Sequence, residues 1–171
     1  MSKIEKAKSD YSFFEKVLSY IPGYRGYKEK EIRRETDRLV RMQASDIMKS
    51  GYDKLTEAIT SLTPVMTEYD RNLVDKVLVK FDTIRQQTER AVSGYADFFN
   101  VNKVKEDKLG QVIENDAELL NKAVEIKDFS EEISTSGSNT EQIRLNLQKI
   151  LIKIDDIDKT LKNRKELLKY K

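Results

Sequence analysis

Apolar residues along the chain return at steps of three and four over long stretches, and the breaks between those stretches are few. From Lys28 to Leu62 the stripe is Ile32, Leu39, Ile47, Leu55, Ile59 and Leu62. Thr36 and Gly51 fill steps, and Gln43 is an exception. One amphipathic helix with a charged outer face follows from that spacing. Thr63-Pro64 then reads as an N-cap with proline at the first helical position, where a missing N–H costs nothing. A helix kinked at Pro64 is the rival reading. The second stripe is Met66, Tyr69, Leu73, Val77, Phe81, Ile84, Thr88, Ala91 and Tyr95, with Gly94 near its end. The third carries Leu109, Ile113, Ala117, Leu120, Val124 and Ile133, closed by Ser136-Gly137-Ser138.

Ser138 and Glu141 have the spacing of a capping box, which places the start of the last helix. Its residues Ile143, Leu147, Ile150, Ile154, Ile157, Leu161 and Leu168 form a heptad seam in which Arg164 takes one place. The four patterns, Lys28 to Leu62, Pro64 to Ser93, Val104 to Ser134 and Asn139 to Lys171, have similar lengths. Matched lengths with short connections predict an all-α fold. The expected form is one domain over residues 1–171, an elongated antiparallel bundle of four long helices with a short N-terminal helix near Asp10 to Tyr20.

Composition narrows the chemistry. The chain has 171 residues, 38% hydrophobic and 36% charged, a balance that supports a packed core. Six glycines and two prolines are too few for the turns of a sheet protein. There is no cysteine and no histidine. Thiolate or imidazole metal sites, Ser-His-Asp and Cys-His nucleophiles, and the Glu-x-x-His pairs of di-iron bundles therefore have no ligands or bases to build on. No cofactor is expected. The N-terminus interrupts its apolar residues with charges too often for a signal peptide, and no uncharged run could span a bilayer. The expectation is a cytoplasmic protein.

The antiparallel topology would gather three segments at one pole: the turn with Tyr20, Tyr24 and Tyr27, the connector with Tyr95, Phe98 and Phe99, and the C-terminal tail. Charge is uneven too. Arg25 to Arg41 holds seven basic and four acidic residues, and Lys159 to Lys171 six against one, whereas Glu106 to Glu132 holds nine acidic and three basic. Such asymmetry informs about partners better than the net charge of +2 does. Helical pairs such as Glu29 with Arg33 and Asp37 with Arg41 account for part of the charge by themselves. Buried rings at a bundle end account for the aromatics.

The leading expectation is a non-enzymatic interaction or scaffold protein that docks a protein partner through Tyr24, Arg25, Tyr27, Arg33, Arg34, Tyr95, Phe98 and Phe99. The alternative is a binder of polyanions, nucleic acid or an anionic membrane surface, using the tail and the arginines of the turn. Homo-oligomerisation through the heptad helix is a further option. A carboxylate-metal enzyme ranks last; Glu31 and Glu35 with Tyr27 would serve it, and Glu114 with Glu118 and Asp128 with Glu132 also share helix faces. Gly23-Tyr-Arg-Gly26 has the spacing of a nucleic-acid-clamping Gly-x-x-Gly loop without the sheet that goes with it.

The run IPGYRGYKEKEIRRETDRLVR, matched at Ile21, Pro22, Gly23, Tyr24, Gly26, Tyr27, Lys30, Glu31, Arg33, Arg34, Glu35, Asp37 and Arg41, resembles the signature of a family of uncharacterised small prokaryotic helical proteins. GYADFF, Gly94 to Phe99, resembles the second half of that signature. The resemblance implies no activity. It implies that the two segments belong to one site or one structural lock.

Overall fold

In the computed structural model, residues 30–91, 106–137 and 139–167 are described. Among them are four α-helices and no strand: α1 (Lys30–Leu62), α2 (Glu68–Arg90), α3 (Glu106–Thr135) and α4 (Thr140–Leu167). The expected short N-terminal helix lies outside the described residues. No helix described is long and apolar enough to cross a membrane.

The chain breaks at Pro64 rather than kinking. Thr63–Val65 form a 3-10 turn, and Met66 and Thr67 are extended. The cap is not at Thr63, whose hydroxyl donates back to the Ile59 carbonyl at 2.8 Å. It is at Thr67. The Thr67 hydroxyl accepts from the Asp70 backbone N–H, and the Asp70 carboxylate accepts from the Thr67 backbone N–H, both at 3.2 Å. Aspartate thus does the work usually given to glutamate in a capping box, and α2 begins four residues later than the proline suggested. α3 ends on Gly137, whose φ of +56° is the left-handed conformation that glycine adopts without a Cβ penalty. α4 is capped by Asn139, whose side-chain oxygen accepts from the Gln142 N–H at 3.1 Å. Ser138 lies outside the described residues.

The helices pack in the pairs α1 with α3, α3 with α4, α1 with α2 and α2 with α4. That order closes a ring in which α2 and α3, successive in sequence, face each other across the core. Successive helices were expected to be neighbours, and here α1 takes the place beside α3. Contacts between α1 and α3 ascend together, Gly51 against Lys127 and Lys54 against Glu131. Those between α3 and α4 run in opposite order: Asp116 with Arg164, Lys122 with Thr160, Glu125 with Lys153, Phe129 with Lys149.

The core confirms the α4 seam, with Ile143, Leu147, Ile150, Ile154 and Ile157 buried. In α1 the buried row is Val40, Ala44, Met48, Gly51, Leu55, Ala58 and Leu62. The bulkier Leu39, Ile47 and Ile59 pack only partly buried along its flank. Glycine occupies position 51 where α1 and α3 approach closely; a Cβ there would stand 3.0 Å from the Lys127 Cα. In α2, Asp70 and Val74 are buried where the pattern pointed to Tyr69 and Leu73, and Tyr69 is 59% exposed beneath the Arg144 guanidinium. Phe81 fills the centre and meets the Tyr52 ring edge-on at 5.7 Å.

Candidate functional site

One pole of the molecule has a polar interior. Arg41, Asn115, Asp116, Thr88, Thr160 and Arg164 are all buried. Arg41 stands ten residues before Gly51 in α1, and Asp116 eleven before Lys127 in α3, so at 1.5 Å per residue the two share a level. Arg164 brings α4 to the same level through a 2.9 Å bond from its Nε to the Asp116 Oδ1. Arg41 reaches α2, donating from Nη1 to the Ala91 carbonyl. Burial pushes the Arg164 guanidinium down to about 10, which leaves it charged at neutral pH. The pair with Asp116 is therefore ionic, and almost wholly out of water, with the side chains 2% and 7% exposed.

Beside this layer, Lys122 lays its ammonium across the α3–α4 seam. It donates to the Thr160 hydroxyl at 2.8 Å and to the Asp156 carbonyl at 3.3 Å, and it pairs with Glu118 one turn back. Two neutral acceptors and one carboxylate thus hold the cation in place.

Between the start of α3 and the end of α4 lies an open groove of about 550 Å³, lined by Gln111, Glu114, Asn115, Glu118, Asn163, Glu166 and Leu167. The first four recur at i, i+3, i+4 and i+7, one stripe of a helix, and the last three at i, i+3 and i+4. Among the described residues its side chains are three carboxylates, three carboxamides and one leucine. Asn115 is 7% exposed, and its Nδ2 is buried without an acceptor.

Of the residues expected at the docking surface, Tyr24, Arg25, Tyr27, Tyr95, Phe98 and Phe99 lie outside the described residues. Arg33 and Arg34 belong to α1, with side chains outside those described. Arg41, the last residue of the IPGY signature, meets Ala91, three residues before the GYADFF segment. Two exposed lysines of α4, Lys159 and Lys162, pair with Asp156 and Asp158, so part of the basic charge there is answered within the helix. Among the described residues no three acidic side chains gather as a metal site. The Glu114–Glu118 face was legible as a carboxylate pair; the groove that it lines was not, because the opposite wall comes from α4.

Fold and groove together define a class, an all-α protein whose four described helices share a polar pole. Comparison of the chain with protein-family models, with curated proteins and with solved structures found no match.

Proposed function

We propose that this chain is a non-enzymatic interaction or scaffold protein that docks a protein partner at its polar pole. The observation that carries the reading is the pair of contacts Arg41 to Ala91 and Arg164 to Asp116, which join the first half of α1 to the end of α2 and the first half of α3 to the end of α4. From those helix ends the chain continues into the segments bearing Tyr24, Arg25 and Tyr27, and Tyr95, Phe98 and Phe99, and into the basic tail. In this reading the helices form an elongated antiparallel bundle, ordered up, down, up, down, that acts in the cytoplasm. The order of contacts along α1 with α3 and α3 with α4 supports that arrangement.

Arg33 and Arg34 carry the charge that the partner would meet, and reversing it is the direct test. Co-purification of partners with the wild-type chain and with Arg33→Glu/Arg34→Glu, at matched melting temperature, should show a partner retained by the first and lost by the second. Equal recovery by both sinks the reading.

A further inference from the structure

The inward face of α4 changes character part-way along the helix. Up to Ile157 the buried side chains are mostly aliphatic: Ile143, Leu147, Ile150, Ile154 and Ile157, with Asn146 among them. Beyond Ile157 they are Thr160 and Arg164, and Leu161 packs beside them partly buried. The wall that receives this last stretch is polar as well. Arg164 donates from Nε to the Asp116 Oδ1 at 2.9 Å, and Lys122 donates to the Thr160 hydroxyl at 2.8 Å. Asn115, also buried, lines the same stretch opposite Asn163. The other end of α4 is tied down differently: Asn139 caps it, and the Arg144 guanidinium donates twice to the Asp70 Oδ1, at 2.9 and 2.7 Å.

The two kinds of burial respond differently to water. Lifting the aliphatic stretch off the core exposes apolar area, at a cost that grows with that area. Lifting the polar stretch returns a guanidinium, a carboxylate, an ammonium and a hydroxyl to water, and their hydration offsets much of what their mutual bonds contribute. No glycine or proline interrupts Thr140–Leu167, so the helix has no preset bend, and its last turns can leave the core only by melting. We propose that α4 beyond Ile157 is a strap, latched to α3 by Arg164 on Asp116 and by Lys122 on Thr160, that releases as a unit while the aliphatic part of the bundle stays folded. The strap lets the polar pole change shape without unfolding the molecule, and it does not depend on the docking reading above.

Unit release differs from ordinary fraying, which is graded and runs inward from the helix end. The test is native-state hydrogen exchange of the full chain, followed amide by amide by NMR at low urea concentrations. The amides of Leu161 to Leu167 should share one rate and one urea dependence, and should exchange on the order of ten-fold or more faster than those of Leu147 to Ile154. Ile150→Val trims a side chain that stays packed when the strap is open. It should speed the Leu147 to Ile154 amides roughly three- to ten-fold and leave the strap within about two-fold of wild type. Arg164→Lys keeps the charge but loses the planar fork, and should speed the strap amides on the order of ten-fold.

Strap amides as slow as those of the aliphatic seam overturn the proposal, as do rates graded inward from Leu167 with no common urea dependence. Equal acceleration of both stretches by Ile150→Val would mean that the strap opens only with the whole molecule, and also overturns it. Unchanged strap exchange in Arg164→Lys removes the latch and the proposal with it.

Discussion

Arg164 holds a seam place that a heptad reserves for an aliphatic side chain, and its burial shows how the bundle tolerates it. The guanidinium meets Asp116 inside the core, so each charge offsets part of what the other loses on leaving water. Asp116→Ala should therefore cost about 3–5 kcal/mol in urea unfolding, because it removes a buried carboxylate that the Arg164 guanidinium is bonded to. Asp116→Leu with Arg164→Met should recover most of that loss, since replacing both members removes the desolvation penalty with the pair. The sequence showed Arg164 as an anomaly of the stripe and stopped there. Its partner sits 48 residues away on a different helix, and periodicity within one element carries no information about that distance.

Asp70 is the second residue whose role only the structure reveals. The Thr67 hydroxyl, and after it the Arg144 guanidinium, hold its carboxyl below the ordinary value, against the opposing effect of burial. A depressed carboxylate stabilises the fold fully above its unfolded value of 3.8, and that contribution is lost as pH falls through the folded value. Glu131, held down by Lys54 and then Lys127, acts in the same direction. The melting temperature should drop steeply below about pH 4, and more shallowly in Asp70→Asn, which starts from a lower value at pH 7. Thr67→Ala should cost about 1 kcal/mol through loss of the cap, whereas Thr63→Ala should cost little.

At the scale of the element, legibility tracked side-chain size. α4 could be read residue by residue because large aliphatics alone form its seam. α1 could not: its buried row includes Ala44, Gly51 and Ala58, which hydropathy weighs lightly, and Gly51 meets α3 at Lys127, while Leu39, Ile47 and Ile59 drew the eye to the flank. The same contact makes a quantitative prediction. On a solvent-facing helix Gly→Ala gains about 1 kcal/mol in propensity. Gly51→Ala should instead destabilise by about 1 kcal/mol net, since its Cβ would press on the Lys127 backbone at 3.0 Å and on Phe81 at 3.4 Å, and overpacking costs about 1–3 kcal/mol. Denaturant midpoints of the two proteins decide the sign.

At the scale of the molecule, the helical class and the break near Pro64 were visible in the sequence, and the pairing of helices was not. Spacing along one chain fixes which face is apolar without fixing which neighbour covers it. The proposed arrangement has a direct distance test, made simple by the absence of cysteine, since each introduced thiol is labelled alone. Spin labels at Met42 and Lys162 should lie about 20 Å apart, and labels at Met42 and Glu141 about 35 Å, given roughly 30 Å of rise along α4 between residues 141 and 162. Reversed distances would refute the proposed directions.

The ring of helices has one more effect. Because α1 with α2 and α3 with α4 are each joined by a few residues, while α2 and α3 sit across the core, the described helices form two sequential pairs that meet mainly through α1 against α3. Each pair buries its apolar face against the other. A chain cleaved between Ala91 and Glu106 should then reassemble from its halves, and at high concentration intact chains should trade helix pairs to give interlocked dimers whose interior is the same as that of the monomer.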